Sequence, residues 1–383
     1  MRTLIQKFVQ LESSGGIVLF IAAASAMIWA NSRFSYIYQD ITNNLLFLIN
    51  EGFMSIFFLL VGLELKRGFL EGDLSKPSQM LLPIVAALGG MLVPAALYLS
   101  INYTNPITAK AWATPVATDI AFALGALSFF GSRVPGALKL FLLVLAIFDD
   151  IGSIFIITFF YSHHLSYVFI FLSLFLVGIL FLFKFFPVRF LFCYLLIGAA
   201  LWLCLLHSGV HPTISGILLA LTIPADHPLK STQKQPNHSL LHRLENSLHP
   251  WVVYLIMPLF ALVNAGFSFH ELSFNILLDT VVLGIIVGLF FGKQIGVFGF
   301  SWVLIKMGLV KLPARTSLLE LYGVAILCGI GFTMSLFLGT LAFQNENIYL
   351  AEVRLGVIIG STLSLLLGLV MLYFAFSKSK NVE

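Results

Sequence analysis

Long apolar segments recur along the whole chain and constrain its fold more than any other feature. Each run of roughly 20 apolar residues can cross a hydrocarbon core about 30 Å thick as a helix, which satisfies its own backbone hydrogen bonds. Only 10% of the 383 residues are charged, against about 25% in soluble domains. We therefore expect a single all-α integral membrane domain, residues 1–383, in contact with lipid.

The apolar segments predict about 12 transmembrane helices. The polar stretch 225–249 is the longest segment between them and is predicted to be a loop. The approximate bounds of the spans are 16–30, 45–64, 79–100, 112–130, 136–161, 166–186, 188–206, 207–224, 250–270, 276–300, 321–343 and 352–376.

Basic residues are distributed unevenly between the two predicted sides of the membrane. The side with fewer of them holds Arg33, Lys110 and Arg354. By the positive-inside rule the basic side is cytoplasmic, which places both termini in the cytoplasm. The basic side collects Arg2, Lys7, Lys66, Arg67, Lys76, Arg133, Lys139, Lys184, Arg189, Lys230, Lys234, Arg243, Lys306, Lys311, Arg315, Lys378 and Lys380.

Two predicted spans contain residues that interrupt a helix. The fourth contains Ala113-Thr-Pro-Val-Ala-Thr-Asp119 and the eleventh contains Cys328-Gly-Ile-Gly-Phe-Thr-Met-Ser335. A proline removes a helical hydrogen bond, and such breaks are tolerated in membranes where they line a cavity. We interpret both segments as broken helices; ordinary kinks are the alternative, because Pro and Gly are common in membrane spans.

The two interrupted spans have opposite predicted directions across the membrane. This is expected if residues 79–161 and 276–376 form an inverted repeat. Such repeats place the binding site near the middle of the membrane, where the broken helices meet.

Four ionisable residues fall well inside predicted spans: Asp119, Asp149, Asp150 and Lys293. Each costs about 2.5 to 3.5 kcal/mol at the bilayer centre unless it is paired or lines a hydrated cavity. Asp149 and Asp150 diverge by about 100° on a helix and can flank one cavity. Their mutual repulsion makes protons and a cation alternative occupants of the pair. A structural ion pair or a hydrogen bond between helices is the alternative.

The other groups near the carboxylate pair also predict an ion site. Gly152 and Ser153 leave room for another backbone or a water to approach. Lys293 is expected to be a counter-ion, with extension to the membrane interface as the alternative. Asp119 is expected to neutralise positive helix ends. Oxygen ligands without a His or Cys cluster suit Na⁺ or Li⁺, and no cofactor is expected.

Titratable residues also cluster outside the predicted ion site. Glu64 and Arg67 lie at one predicted cytoplasmic end, and Glu245 and His249 at another. They are interpreted either as solvated anchors or as groups that regulate activity with pH. His211 has i,i+4 spacing from His207, which favours a packing or proton-sensing role.

The motifs along nearly the whole chain resemble those of the NhaA family of bacterial Na⁺/H⁺ antiporters, a family that itself has inverted repeats. The motifs that carry this resemblance are Val61-Gly-Leu-Glu-Leu-Lys-Arg67, Ala117-Thr-Asp-Ile-Ala-Phe-Ala-Leu-Gly125, Gly131-Ser-Arg-Val-Pro135, Phe148-Asp-Asp-Ile-Gly152, Ser208-Gly-Val-His211, Leu248-His-Pro-Trp251, Asn264-Ala-Gly266, Gly292-Lys293 and Cys328-Gly-Ile-Gly-Phe-Thr-Met-Ser335.

The resemblance implies an electrogenic antiporter of the bacterial inner membrane that exports Na⁺ or Li⁺ as protons enter. It implies that Asp149 and Asp150 carry the cation and the protons. Thr118 and Asp119 would belong to a crossed assembly of broken helices. Lys293 would balance the charge of this assembly and pair with Asp149.

The resemblance also implies pH regulation, with Glu64, Arg67, His211, Glu245 and His249 at matching positions. Two departures put the activation profile in question: Gly68 stands where an acidic residue is common, and Asn246 stands where histidine occurs.

Other functional classes fit the sequence less well. An intramembrane aspartyl protease would need a Gly-x-Gly-Asp signature, which neither Asp119 nor Asp150 has. A passive cation channel fits a tightly binding carboxylate pair poorly. No enzymatic activity and no nucleic-acid partner are expected, and the sequence is compatible with a homodimer.

Overall fold

All regular secondary structure in the described part of the chain is helical. The structure is a computed structural model and describes residues 14–71, 77–162, 165–183, 190–225, 239–268, 274–343 and 347–379. Some of the basic residues used to predict orientation lie outside these ranges: Arg2, Lys7, Lys76, Lys184, Arg189, Lys230, Lys234 and Lys380.

The helices are described in three groups along the chain, and the first group ends at the first predicted break, residues 113–119. A π-helical segment at Leu48–Phe53 joins α2 to α3. The Asn105 side chain caps α5 by accepting a hydrogen bond from the Ile107 N–H. The helices are α1 at Ser14–Ala30, α2 at Ser35–Phe47, α3 at Met54–Glu71, α4 at Pro77–Asn102 and α5 at Pro106–Ala109, followed by a 3₁₀ turn at Lys110–Ala113.

The second group contains the helix of the carboxylate pair, α7. Asp119 has extended backbone angles and forms the N-cap of α6. Gly209 ends α9 in the left-handed conformation, which favours glycine because it has no Cβ. The helices are α6 at Ile120–Ser128, α7 at Gly136–Phe160, α8 at Tyr167–Leu182, α9 at Leu191–Ser208 and α10 at Ile214–Thr222.

The third group contains the helix of Lys293 and the second break. π-helical segments follow α11 at Val252–Ile256 and α13 at Gly288–Gly292 and Gln294–Gly299. The pair α15 and α16 is bent by 43°. The helices are α11 at Leu240–Trp251, α12 at Met257–Asn264, α13 at Thr280–Val287, α14 at Phe300–Lys306, α15 at Leu318–Leu327, α16 at Phe332–Ala342 and α17 at Leu350–Ser379.

The prediction of a loop over residues 225–249 was wrong for its second half. Ser239 caps a helix that begins at Leu240, because its side chain accepts a hydrogen bond from the His242 N–H. Leu241 and Leu244 are buried on one face of that helix. A capping serine followed by an amphipathic pattern outweighed the polar composition.

The helices make the chain a multi-pass membrane protein by length and composition. Seven helical stretches of the described residues are long and apolar enough to cross a membrane, if helices that are joined by π-helical segments, such as α2 and α3, are counted as one stretch. The pair α15 and α16 forms one further, bent stretch. Ser14–Ala30 and Tyr167–Leu182 are shorter apolar helices. Every predicted span overlaps at least one helix, while the number of twelve crossings remains a prediction.

The chain divides into two compact units. Unit 1 comprises Met1–Asn44, Pro77–Ser153 and Pro258–Glu383, and unit 2 comprises Leu45–Lys76 and Ile154–Met257. The ionisable residues of the predicted ion site all belong to unit 1. Within unit 2, Lys66 Nζ donates hydrogen bonds to the carbonyls of Leu221 and Ile223 at the end of α10.

Candidate ion-binding site

Asp149 and Lys293 form a fully buried ion pair. Lys293 Nζ lies 2.6 Å from Asp149 Oδ2, and neither side chain has any exposed surface. Lys293 stands between two π-helical segments, Gly288–Gly292 and Gln294–Gly299. Such segments are rare and frequently occur at functional sites. The lysine therefore contacts a carboxylate in the counter-ion geometry, and its side chain does not extend to the protein surface.

The second carboxylate of the pair, Asp150, is also buried, with 1% exposure. Asp149 Oδ1 accepts no hydrogen bond from the described residues, although its neighbour Oδ2 accepts from Lys293. An unsatisfied buried acceptor costs about 1–3 kcal/mol. That oxygen is thus suited to bind a proton, a water or a cation.

Thr118 connects the first break to both the carboxylate and the second break. Its Oγ1 lies 2.6 Å from Asp149 Oδ2 and 2.9 Å from the Cys328 carbonyl oxygen. A hydroxyl has one proton and donates it to one acceptor at a time. The Thr118 hydroxyl can therefore switch acceptors when the charge on Asp149 changes.

Asp119 lies at the start of two helices at once. Its Oδ1 accepts from the Phe122 N–H at 3.0 Å, which caps α6. Its Oδ2 accepts from the Thr333 N–H at 3.1 Å and from Thr333 Oγ1 at 2.5 Å, near the start of α16. The Asp119 N–H in turn donates to the Ile330 carbonyl at 2.7 Å. One carboxyl side chain thus accepts hydrogen bonds at the N-terminal ends of two helices.

Helix α4 packs closely against both helices that supply the ion pair. A methyl group added at Gly296 would lie 2.2 Å from the Gly89 carbonyl oxygen, and one added at Gly90 would lie 3.7 Å from Lys293 Nζ. A methyl group added at Gly152 would lie 2.2 Å from Met91 Sδ. Small residues at these contacts therefore fix how closely α4 approaches both helices.

The titratable residues predicted at the cytoplasmic ends of α3 and α11 partly come together in unit 2. Arg67 Nε lies 2.9 Å from Glu245 Oε1, and Glu64 interacts electrostatically with both residues. His249 is exposed in the last turn of α11. This end of unit 2 therefore contains the Arg67–Glu245 ion pair with the Glu64 carboxyl group nearby.

His211 belongs to a different cluster of unit 2. Its Nε2 lies 3.4 Å from Glu51 Oε2, and its Nδ1 lies 2.8 Å from Thr213 Oγ1. The helix that follows, α10, has nine residues and is about 14 Å long. Lys66 contacts the far end of that helix, whereas His211 precedes its start.

Sequence reasoning missed two side chains that contact the predicted site residues. Thr333 follows the glycine-rich break at 328–331, and its position at a helix start was a usable signal. Glu51 is a carboxylate inside the predicted span 45–64, which was a second signal. Among the described residues no group of three or more His, Cys, Asp or Glu side chains is arranged to hold a metal ion.

Comparison with known proteins assigns the family. Residues 6–372 match the family described as Na⁺/H⁺ antiporter 1. The chain belongs to this family. The resemblance drawn from the sequence motifs is thereby confirmed.

Individual members of the Na⁺/H⁺ antiporter 1 family match the chain over nearly its full length. Na⁺/H⁺ antiporter NhaA 1 of Syntrophotalea carbinolica is 46% identical, covering 98% of this chain and 97% of its own length. Na⁺/H⁺ antiporter NhaA of Nitrobacter hamburgensis is 47% identical, with 97% and 91% coverage. The protein of the same name from Pelagibacter ubique is 47% identical, with 97% coverage of both chains.

Proposed function

We propose that the chain is a bacterial inner-membrane antiporter that exports Na⁺ or Li⁺ while protons enter. The observation that carries the proposal is the fully buried contact between Asp149 and Lys293, next to the buried Asp150. The names of the relatives, Na⁺/H⁺ antiporters, support the same activity. Transport of ions, and not covalent catalysis, is the function of such a site.

The proposed exchange follows from competition for the two carboxylates. Asp149 and Asp150 repel each other when both are ionised in a low dielectric, so protons or a cation must compensate them. The Lys293 ammonium compensates Asp149 in the described arrangement. An arriving Na⁺ would compete with that ammonium for Asp149 and with protons for both carboxylates.

We also propose that the two broken helices cross near the middle of the membrane and that the chain crosses it twelve times. The hydrogen bond from the Asp119 N–H to the Ile330 carbonyl and the capping of α16 by Asp119 support a crossing. The proposed inverted repeats, 79–161 and 276–376, are supported by the presence of one break in each.

Orientation follows in this proposal from the basic residues, with both termini in the cytoplasm. Exposed Val168, Phe171 and Phe192 would contact lipid. The proposal is compatible with a homodimer and does not require one.

The proposal further assigns pH regulation to Glu64, Arg67, Glu245, His249 and His211. The Arg67 to Glu245 ion pair and the proximity of Glu64 support such a role, because protonation of either carboxylate would change the pairing. The contact of His211 with Glu51 supports including His211, because a change of charge on either side chain would alter that contact.

Electrogenic exchange, with more protons than Na⁺ per cycle, is the last component of the proposal. Two carboxylates can accept two protons, whereas one small cation binds between them. An inside-negative membrane potential should therefore accelerate Na⁺ export. Equal rates at zero and negative potential would contradict electrogenic exchange.

Reconstituted protein tests the proposal. We expect Na⁺ and Li⁺, but not K⁺, to drive saturable proton flux in proteoliposomes, and Asp150→Asn to abolish it while the protein remains folded and inserted. Asp40→Asn is the control, because Asp40 is exposed. Near-normal flux from inserted Asp150→Asn protein would refute the assigned role of Asp150.

The same assay separates the alternatives. Flux that does not saturate would favour a channel. Peptide cleavage without ion-driven proton flux would favour a protease.

A further inference from the structure

Ser153 lies one helical turn after the carboxylate pair on α7 and is completely buried. Successive helical residues are rotated by about 100°, so a residue four positions later is displaced by about 40°. Ser153 therefore projects in a direction between those of Asp149 and Asp150. Because Cα–Cβ bonds tilt toward the helix N-terminus, its side chain leans back toward the two carboxylates.

The Ser153 hydroxyl is buried without a hydrogen bond, since its Oγ has no partner among the described residues. A serine inside a helix can donate to the carbonyl four residues earlier. Ser301 does so to Val297 at 2.7 Å, and Ser173 does so to Phe169 at 2.8 Å. Ser335 and Ser364 are also buried helical serines whose hydroxyls have no partner among the described residues. Of these three serines, Ser153 is the one that lies on α7 with Asp149 and Asp150.

We propose that Ser153 Oγ is a neutral oxygen ligand of the transported alkali cation, which it contacts together with Asp149 and Asp150. This rests on the proposed Na⁺/H⁺ exchange. A hydroxyl oxygen carries two lone pairs and is a hard ligand of the kind that Na⁺ and Li⁺ accept. It adds a ligand without adding to the repulsion between the carboxylates.

A second unsatisfied oxygen supports the same site. Asp149 Oδ1 accepts no hydrogen bond from the described residues. Residues at i and i+4 are neighbours on a helix surface, about 5–6 Å apart at Cβ. Asp149 and Ser153 thus present two unsatisfied buried oxygens to the same side of α7, at a distance that a single cation or a water bound to it can bridge.

The two transported ions use Ser153 differently. Protons bind the carboxylates and leave a serine hydroxyl unchanged at physiological pH, whereas a cation uses all three oxygens. Removing the hydroxyl should weaken cation binding and leave proton binding intact. This difference distinguishes a ligand of the cation from a residue that only supports the helix.

The test compares Ser153→Ala and Ser153→Cys with the wild-type protein in proteoliposomes. Both remove the hydroxyl oxygen, and cysteine nearly retains the volume of serine. We expect the apparent KM for Na⁺ at alkaline pH to rise about fivefold in each variant, the effect of losing one modest contact. The ratio of the KM values for Na⁺ and Li⁺ should also change, because the two cations differ in size.

Thermal unfolding supplies the readout that a structural role would change. The melting temperature of Ser153→Ala should equal or exceed that of the wild type, since no hydrogen bond to a described residue is lost. Ser301→Ala is the matched control: it removes an equally buried hydroxyl that has a partner, so its stability should fall while its KM for Na⁺ stays constant.

The outcomes are distinct. A raised KM with an unchanged melting temperature supports the proposal. An unchanged KM in both Ser153 variants overturns it, and so does a raised KM accompanied by a fall in melting temperature. Wild-type protein without Na⁺-driven proton flux overturns the antiporter function as well, which separates that failure from a failure at Ser153.

Discussion

Lys293 is a charged side chain without exposed surface, and its contact with Asp149 offsets the cost of burying it. Removing one partner of a buried ion pair leaves the other charge uncompensated, whereas removing both charges is often nearly neutral. Removing either charge alone should therefore destabilise unit 1 more than removing both charges together.

At the residue scale we predict that Lys293→Ala lowers the free energy of unfolding by about 3–5 kcal/mol. The double variant Lys293→Ala with Asp149→Asn should recover a large part of this loss, because asparagine is neutral. Thermal unfolding of purified protein in detergent measures both. A double variant no more stable than Lys293→Ala would show that the two charges do not compensate each other.

At the scale of elements, Asp119 holds the starts of α6 and α16 through separate oxygens. Asp119→Ala should destabilise the protein by about 0.5–2 kcal/mol for each helix end that it uncaps. Asp119→Asn should lie between wild type and alanine, because an amide oxygen still accepts a hydrogen bond but carries no charge. Melting temperatures in the order wild type, asparagine, alanine would support this role.

Thr333→Val serves as the comparison for Asp119. It removes only the hydroxyl donor and leaves the Thr333 N–H bonded to Asp119. Its effect should therefore be smaller than that of Asp119→Ala. If Thr333→Val lowered the melting temperature more than Asp119→Ala, the Thr333 hydroxyl would contribute more to stability than the Asp119 caps.

The contact between α4 and the Lys293 helix gives a second prediction at this scale. A methyl group at Gly296 would collide with the Gly89 carbonyl, while one at Gly299 would meet nothing within 4 Å. We expect Gly296→Ala to cost about 1–3 kcal/mol, as overpacking does. Gly299→Ala, in the same π-helical segment, should be neutral or stabilising. Equal melting temperatures for the two variants would refute this close contact.

At the scale of the whole molecule, we predict competition between protons and Na⁺. If both share Asp149 and Asp150, acidification should weaken the apparent affinity for Na⁺ about tenfold per pH unit where one net proton is displaced. Raising the Na⁺ concentration should then restore the flux. Apparent affinity and maximal flux, measured at several pH values, check this prediction.

Separate regulatory groups would give a different pattern. Titration of Glu64, Glu245 or His211 would change the fraction of competent carriers, and so the maximal flux, at constant affinity. An affinity independent of pH, with a maximal flux that falls on acidification, would therefore move control away from the carboxylate pair.

The sequence by itself determined the membrane class and the residues worth examining. Apolar segments of spanning length leave no alternative to helices in lipid, and charges such as Asp149, Asp150 and Lys293 are too costly there to be incidental. The motif resemblance identified the family correctly. The helix that begins at Leu240 was not predicted, because its polar composition is typical of a loop even though Ser239 caps it.

Only the tertiary structure decided which groups meet. Lys293 reaches Asp149 across 144 positions of sequence, and Thr333 reaches Asp119 across 214. Periodicity tells which face of a helix is apolar, but it does not tell which helix that face packs against or how closely. Those distances depend on contacts such as Gly89 with Gly296. The tertiary structure is also needed to show that the Ser153 hydroxyl has no hydrogen-bond partner among the described residues, because this depends on the positions of all its neighbours.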